Sequence, residues 1–308
     1  MGDDMRNPED QPFSDPPPLP DWLAEAFPFR RRLFQNGRWT QHFVDEGHGP
    51  VVLMQHGNPT WSFLWRRVIR LLVDQNIRVI APDLVGLGLS AKPREVGLHS
   101  LRFHALNLRR LVQALELEDI TIVGQDWGGP ILGLMAAYEP ARVTGAVFAN
   151  TGLAAPRKKR PLSLFHRLAH IPLVSALLFR GFNFPVPLLH RVQGDPASID
   201  AIAKRAYQWP LKSFRDRIAP LALTRLVPTG PHHPTAPCMR KVQGWAASFG
   251  GPAQLVWGVK DPILGRALKN MCGLFPGAAV TETLAGHFLQ EEVPEALAAA
   301  VMAVVPTR

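Results

Sequence analysis

The sequence predicts a fold of the α/β class, with a mostly parallel central sheet, helices on both faces of the sheet and an inserted helical cap. Short apolar runs alternate with longer helical patterns as far as Asn150, as expected when crossover helices join parallel strands. After Asn150 the alternation stops, and it resumes only towards the C-terminus. The 308 residues, 46% of them apolar, are sufficient for a large core.

Each predicted element follows from its local pattern. Strands are predicted where short apolar runs end at polar residues or glycine, and helices where apolar residues repeat at helical spacing. Sites in such folds lie at the carboxyl ends of the parallel strands. In chain order the sequence predicts strands at 39–45, 51–55, 78–81, 120–123, 146–149, 255–257 and 278–283, and helices at 62–74, 101–115, 131–137 and 294–304.

The break in the pattern predicts a helical cap at residues 153–227, where helix formers, Pro, Phe and Arg are common and β-branched runs are missing. The main domain is then formed by 21–152 and 228–308, after a flexible, Pro-rich tail at 1–20. The cap has more apolar residues than one thin layer needs, so some of them are expected to roof the site. The apolar residues of the cap are Leu164, Phe165, Leu168, Leu177, Leu178, Phe179, Phe182, Phe184, Leu188 and Leu189.

The most informative motif is Gly-x-Asp-x-Gly, centred on Asp126 between Gly124 and Gly128. It follows an apolar strand and precedes an apolar helix, which is the setting of a nucleophile elbow with Asp in place of the usual Ser. A carboxylate that attacks an sp³ carbon displaces a leaving group and becomes an alkyl ester. The alternative is an ordinary strand-to-helix loop with a surface Asp.

A second motif is His-Gly-Asn-Pro, which begins at His56 directly after the strand 51–55. A loop in this position supplies one N–H of an oxyanion hole, and the residue after the nucleophile supplies the other. The backbone N–H groups of Asn58 and Trp127 are therefore the candidates. We interpret His56 as a structural histidine that braces this loop, because another histidine is better placed to act as the base.

That other histidine is His287, which follows a strand and precedes the terminal helix. Asp261 lies upstream of it, after an apolar strand that ends in glycine. The chain order of nucleophile, acid and histidine is the order of a hydrolase triad, with room for one helix and one strand between Asp261 and His287. A helix N-cap or turn residue before Pro262 is the alternative for Asp261.

Together these motifs resemble those of the haloalkane dehalogenases of the α/β-hydrolase superfamily. The resemblance covers roughly residues 25–305 and includes the loop 83–93, whose sequence is Asp-Leu-Val-Gly-Leu-Gly-Leu-Ser-Ala-Lys-Pro. His-Gly-Asn-Pro-Thr together with Asp-Trp-Gly-Gly is rather specific. Gly-x-Asp-x-Gly alone would be shared with epoxide hydrolases. Trp61, where other members have a small residue, is a departure that either narrows the site or packs in the core.

The resemblance implies a reaction in two steps. Asp126 displaces halide from carbon, and His287, oriented by Asp261, activates water to hydrolyse the ester. The indole N–H of Trp127 and the amide of Asn58 are then the halide donors, because no Trp occurs between Trp127 and Trp209 to provide a donor early in the cap. Some members place the acid directly after the strand 146–149, but no carboxylate is present there.

Other functions remain as alternatives. An epoxide hydrolase uses two cap tyrosines to protonate the epoxide oxygen, but of the two tyrosines here only Tyr207 lies in the cap, since Tyr138 follows the elbow. A fluoroacetate dehalogenase would have Arg in place of Trp127, and a serine esterase would need Ser in place of Asp126. A binding protein without catalytic activity on the same fold is a further alternative.

Composition limits the partners. Cys238 and Cys272 are too few for a disulfide framework and have no metal-binding spacing, so we expect two thiols in the cytoplasm, no metal and no cofactor. The acidic N-terminus lacks the basic and apolar regions of a secretory signal, and no apolar window is long enough to span a membrane.

The formal charge is +9, with basic clusters at Arg30–Arg32 and Arg157–Arg160. Nucleic acid or an anionic membrane could bind such clusters, but no nucleic-acid motif accompanies them. We therefore interpret the clusters as part of an ordinary basic surface. The expected partners are a small halogenated aliphatic substrate, water and halide ion, with no nucleic acid. The oligomeric state is not predicted.

Overall fold

The computed structural model describes residues 12–159 and 161–306. Nine strands form one sheet in the order β1-β2-β3-β5-β4-β6-β7-β8-β9. The pairs from β5 to β9 are parallel, whereas β1, β2 and β3 extend the sheet in antiparallel fashion. The strands are β1 Phe13–Ser14, β2 Arg31–Asn36, β3 Trp39–Glu46, β4 Val51–Gln55, β5 Arg78–Pro82, β6 Ile120–Gln125, β7 Val143–Ala149, β8 Ala253–Gly258 and β9 Ala279–Thr283.

Helices cover both faces of this sheet. One apolar cluster joins α2 and α12 to one face, and a second joins α3, α4 and α9 to the other. The mostly parallel, doubly covered sheet that the sequence predicts is confirmed. The helices are α1 Asp21–Ala26, α2 Arg66–Val73, α3 Leu101–Ala114, α4 Gly128–Tyr138, α5 Leu164–His170, α6 Pro172–Ser175, α7 Ala201–Gln208, α8 Ile218–Arg225, α9 Ala236–Ser248, α10 Leu268–Leu274, α11 Leu289–Glu292 and α12 Pro294–Met302.

The N-terminal strands differ from the sequence prediction. The tail at 1–20 was expected to be flexible, but Phe13 and Ser14 pair with β2, and Arg31 donates a hydrogen bond to the carbonyl of Pro17. The expectation is therefore wrong for this part of the tail, while residues 1–11 lie outside the described range. The strand β2 was not predicted because its sequence, Arg-Arg-Leu-Phe-Gln-Asn, has only two apolar residues.

The segment between β7 and α9 forms helices and turns, with no strand among its described residues. It contains α5 to α8 and a π-helical turn, Ala176–Gly181, that continues α6. The predicted cap at 153–227 falls within this segment. Of the apolar cap residues, Leu164, Leu177 and Phe182 are exposed to solvent, so they are not among those that roof the site.

Over residues 12–159 and 161–306, no single helix is long and apolar enough to cross a membrane. A bent pair, Pro172–Gly181 with Val186–Val192, meets that test by length and composition only, with an angle of 87° between its two helices.

Candidate active site

The sequence-predicted site residues meet at one edge of the sheet. Asn58 follows β4, Asp126 follows β6, Asp261 follows β8 and His287 follows β9. These strands are parallel, so their carboxyl ends lie side by side and bring four distant parts of the chain together. The structure therefore places all four side chains in one site, as the strand pattern predicts.

The elbow holds Asp126 in a strained conformation. Its φ is 52°, a left-handed value that is uncommon for residues other than glycine, and Thr151 donates a hydrogen bond of 2.6 Å to its carbonyl. Gly128 is required at the start of α4, because a Cβ there would lie 2.0 Å from the carbonyl oxygen of Gln55. The turn thus places the carboxylate of Asp126 at the end of the sheet.

The two oxygens of the Asp126 carboxylate have different surroundings. Oδ1 accepts a hydrogen bond of 2.8 Å from the backbone N–H of Asn58, and the backbone N–H of Trp127, like that of Asn58, acts to lower the pKa of this carboxyl. Oδ2 lies 3.8 Å from Nε2 of His287. A Cβ on Gly57 would lie 2.3 Å from Oδ1, so only glycine lets the loop approach the carboxylate this closely.

His287 is oriented by Asp261. Nδ1 of His287 lies 2.8 Å from Oδ2 of Asp261, and because an ionised carboxylate only accepts, Nδ1 carries the proton. In the neutral ring Nε2 is then unprotonated and can accept a proton on the side of Asp126. Burial works to lower the pKa of His287, but the charges of Asp261 and Asp126 overcome it and raise that pKa.

Two further residues support this pair, and the sequence analysis did not identify either role. Asn150 donates a hydrogen bond of 2.7 Å to Oδ2 of Asp261 and accepts one from the N–H of Gly258. Gln125 donates a 3.0 Å hydrogen bond to the carbonyl of His287 and lies 3.3 Å from Nε2 of the same ring. The only sequence signal is their position, each directly at the end of a central strand.

The side chain of Asn58 faces the cap. Its Nδ2 donates to the carbonyl of Pro220 and to Oγ1 of Thr224, at 3.1 and 3.2 Å, and both acceptors lie on α8. Trp127, the other expected halide donor, is 8% exposed at the start of α4. The cap therefore fixes one expected donor, while the elbow fixes the other.

His56 braces the loop, as we inferred from the sequence. Its Nε2 accepts a hydrogen bond of 3.0 Å from the N–H of Leu84, and its Nδ1 lies 2.8 Å from the carbonyl of Gly57. Burial lowers the pKa of His56, which keeps the ring neutral in this role. Trp61 packs in the core, where it stacks on Phe63 and is 1% exposed.

No group of three or more His, Cys, Asp or Glu in the described part of the chain is arranged to hold a metal ion. The site consists instead of a carboxylate, two backbone donors and a histidine paired with a second carboxylate. This arrangement can perform nucleophilic displacement followed by hydrolysis.

Comparison with known proteins agrees with this chemistry. Residues 50–183 match the α/β hydrolase fold family. Over 284 residues the chain is 34% identical to haloalkane dehalogenase 2 of Mycobacterium tuberculosis, which covers 90% of this chain and 96% of that relative. The chain belongs to the haloalkane dehalogenase family.

A solved structure from the same family is also similar. The tetrameric haloalkane dehalogenase of Paraglaciecola agarilytica NO2 superposes with a TM-score of 0.78 at 26% identity, over 90% of this chain and 94% of that one. Another relative has a different name. The cis-3-alkyl-4-alkyloxetan-2-one decarboxylase of Shewanella oneidensis is 30% identical over 279 residues, covering 89% of this chain and 87% of that relative. This chain is thus similar both to haloalkane dehalogenases and to a protein named for the decarboxylation of an oxetan-2-one, a β-lactone.

Proposed function

We propose that this member of the haloalkane dehalogenase family hydrolyses haloalkanes to an alcohol and a halide ion. One observation carries the proposal: Oδ1 of Asp126 is bound by the N–H of Asn58, while Oδ2 faces Nε2 of His287. One oxygen is thereby prepared to become an oxyanion, and the other is available to attack carbon.

In the first step, Oδ2 of Asp126 attacks the carbon that carries the halogen. The new C–O bond forms as the carbon–halogen bond breaks, and the halogen leaves with the bonding electrons as halide. Burial raises the pKa of Asp126, with opposing contributions from His287 and the two N–H donors. A poorly solvated carboxylate of this kind is a better nucleophile than one in water.

In the second step, His287 removes a proton from water, and the resulting hydroxide adds to the ester carbon of Asp126. The negative charge of the tetrahedral intermediate develops on Oδ1, where the N–H groups of Asn58 and Trp127 stabilise it. The intermediate expels the alcohol, which takes the proton from the imidazolium of His287. Loss of one proton to solvent restores the carboxylate of Asp126.

We assign the leaving halide to the indole N–H of Trp127 and the amide of Asn58. Trp127 stands next to the nucleophile, and an indole N–H can only donate. The amide of Asn58 donates to two acceptors on α8, so it must release one of them to turn towards a halide. Trp127 is therefore the primary donor in this proposal, and Asn58 the secondary one.

The experiment that tests the mechanism is the variant His287→Phe. Alkylation needs Asp126 and the halide donors but not the base, so the variant should release one equivalent of bromide from 1,2-dibromoethane and then stop. Mass spectrometry should find the alkyl adduct on the peptide that contains Asp126. The matched control, Asp126→Asn, should give neither bromide nor adduct, and repeated turnover by His287→Phe would reject the two-step scheme.

A second candidate function is decarboxylation of a β-lactone, favoured by the 30% identity to the oxetan-2-one decarboxylase. In that reaction the strained ring opens at the C–O bond and carbon dioxide is lost, leaving an alkene. The carboxylate of Asp126 would attack the sp³ ring carbon and break the ring C–O bond, just as it would displace a halide. Loss of carbon dioxide from the freed carboxylate would then form the C=C bond and expel the carboxylate of Asp126. The position of Asp126 is compatible with displacement of either a halide or the ring oxygen of a β-lactone.

Two assays separate these candidates. Bromide release from a panel of bromoalkanes and chloroalkanes measures dehalogenation. Conversion of a cis-3,4-dialkyl-oxetan-2-one to the corresponding alkene, followed by gas chromatography, measures decarboxylation. Alkene formation at a much higher kcat/KM than bromide release would replace the first proposal by the second.

The contacts of Tyr207 give no support to an epoxide hydrolase. This cap tyrosine donates its hydroxyl hydrogen bond to Glu291, which Arg66 also binds. Its O–H is thus committed to a buried carboxylate and is not available to protonate an epoxide oxygen. Opening of styrene oxide without any halide release would contradict this assignment.

We propose small molecules as the partners of the site: an apolar aliphatic substrate, water and halide. Cys238 and Cys272 are both free thiols, which supports the reducing cytoplasm as the location.

A further inference from the structure

The cap carries an unusual concentration of exposed apolar side chains. Twelve large apolar side chains are strongly exposed among the described residues, and five of them fall within Leu164–Phe182. We call these five the cap patch: Leu164 is 68% exposed, Ile171 47%, Leu173 86%, Leu177 58% and Phe182 66%. Scattered exposed apolar residues are normal, whereas a concentration in one short segment marks an interaction surface.

The five side chains belong to one short segment of the chain, which runs from the first residue of α5 to the residue after the π-helical turn. Leu173 and Leu177 are four residues apart on the helix formed by α6 and its π-helical continuation, so they project from one face. Ile171 joins α5 to α6, and the N–H of Phe182 donates to the carbonyl of Leu177 at 3.0 Å. The exposed side chains thus lie on α6 and its π-helical continuation, and on the residues that flank them.

The opposite face of the same segment is tied to the active site. Ala169 and Phe179 pack with Leu221 of α8, and Arg225 of α8 donates to the carbonyl of Ala169 at 2.7 Å. Pro220 and Thr224 of α8 bind the amide of Asn58. The helix α8 therefore contacts both the segment that carries the cap patch and the catalytic loop.

The chain segment that carries the patch has charges of one sign. Residues 151–194 contain seven Lys and Arg and no Asp or Glu, so this segment carries most of the net charge of +9. Arg157, Lys158 and Lys159 are exposed just before the patch, and Arg167 is exposed within it. The guanidinium of Arg180 lies over the ring of Phe214, itself 46% exposed.

We propose that the cap patch docks this enzyme onto the surface of a membrane that contains anionic lipids. Apolar side chains that insert at the headgroup boundary and a flanking ring of cations are the combination that an anionic bilayer recognises. Nucleic acid would match the cations but leave the exposed leucines without a partner. An apolar haloalkane or lactone concentrates in lipid, so docking would place the cap beside the phase that holds the substrate.

Vesicle flotation with the full-length protein tests this proposal. We expect binding to vesicles of equal parts phosphatidylglycerol and phosphatidylcholine, weak binding to phosphatidylcholine alone, and release at high salt. The variant Leu173→Ser/Leu177→Ser/Phe182→Ser should bind roughly tenfold more weakly with its charge unchanged. Lys158→Gln/Lys159→Gln should lower binding to the anionic vesicles only.

The matched control is Ile202→Ser/Val280→Ser/Met302→Ser, which removes three apolar side chains that are exposed elsewhere. It should bind vesicles as the unaltered protein does. Absence of binding by the unaltered protein, or equal loss in the control, overturns the proposal. If sedimentation velocity shows an oligomer that the Leu173→Ser/Leu177→Ser/Phe182→Ser variant converts to monomer, the patch is a contact between copies of this chain instead.

Discussion

Two carboxylates of the site have opposite pKa shifts although both are largely shielded from solvent. Burial raises the pKa of Asp126, and its partners only partly oppose this effect. Burial acts in the same direction on Asp261, but the charge of His287 and hydrogen bonds from His287, Ile263 and Asn150 outweigh it and lower the pKa. Asp261 therefore stays ionised as the partner of the histidine, while Asp126 is the poorly solvated nucleophile.

The pH dependence of turnover should report His287. Only the neutral ring accepts a proton from water. Turnover is therefore retained above the pKa of His287, and kcat falls as the pH drops below that pKa. Because the carboxylate of Asp261 raises this pKa, the midpoint should not lie below the ordinary value of about 6.5. In the alkyl-enzyme Asp126 has no charge, so only Asp261 maintains the shift at that stage.

The measurement is kcat for bromide release over the pH range, together with the first-turnover burst from rapid quench. The burst needs ionised Asp126 only, so it should persist at a pH where steady turnover is lost. A burst that disappears together with kcat would show that the histidine acts in the first step.

Removal of the Asp261 carboxylate should lower kcat far more than removal of Asn150, which donates a hydrogen bond to it. Asp261→Ala leaves His287 without its partner and should lower kcat by roughly a thousandfold or more. Asn150→Ala removes one hydrogen bond to Asp261 and should lower kcat about tenfold. Steady-state kinetics of both variants, at equal folded fraction by circular dichroism, checks this order. Near-normal turnover in Asp261→Ala would mean that another group supports the histidine.

At the scale of elements, the cap is joined to the main domain through a buried ionic cluster. Arg66 of α2 binds Glu291 of α11 through both of its terminal nitrogens, and Tyr207 of α7 donates to the same carboxylate. Trp61 adds a hydrogen bond of 3.1 Å from its indole to the carbonyl of Ala206. These contacts fix α7 relative to the catalytic loop that begins at His56.

Tyr207→Phe should therefore alter stability rather than chemistry. Loss of one hydrogen bond to a buried carboxylate should reduce the free energy of unfolding by about 1–3 kcal/mol. Bromide release should stay within about threefold of normal, because the hydroxyl contacts Glu291 and Arg66 rather than Asp126. Urea unfolding and steady-state kinetics measure the two effects, with Tyr138→Phe as control. Loss of turnover without loss of stability would show that this hydroxyl contacts the substrate.

Sequence patterns predicted those elements whose burial is uniform. The runs at β4 and β6 are apolar because helices cover both faces of these central strands, so their pattern is unmistakable. One strand in from the edge of the sheet, β2 is held by backbone pairing to β1 and β3, and its polar side chains gave no signal. Backbone pairing of this kind depends on neighbours that a local pattern does not contain.

The same limit applies to the site. Asp126 and His287 could be predicted because the chemistry demands particular residue types at particular strand ends. Asn150 and Gln125 could not, since their roles follow from contacts with Asp261 and His287 that only the fold creates. The exposure of Leu173 likewise depends on which face of its helix packs on α8.

At the scale of the whole molecule, one buried carboxylate links the sheet to both loops beside the site. Asp83 follows β5 and accepts hydrogen bonds of 2.7 Å from the backbone N–H groups of Ser62 and Leu89. His42 of β3 contacts it at 2.8 Å through Nδ1. Burial would raise the pKa of Asp83, but the charge of His42 and these hydrogen bonds lower it to about 2.

This shift predicts how stability changes in acid. A carboxyl group with a pKa of about 2 when folded and about 3.9 when unfolded stabilises the protein above pH 4 and loses that contribution as the pH falls towards 2. Asp83→Asn should therefore lower the free energy of unfolding by about 2 kcal/mol at pH 6, with the difference shrinking near pH 2.5. Urea titrations at both pH values test this, with the exposed Asp74→Asn as a control that should change little. If Asp83→Asn lowers the free energy of unfolding equally at both pH values, the asparagine side chain disturbs the packing. In that case the charge of Asp83 is not what stabilises the fold.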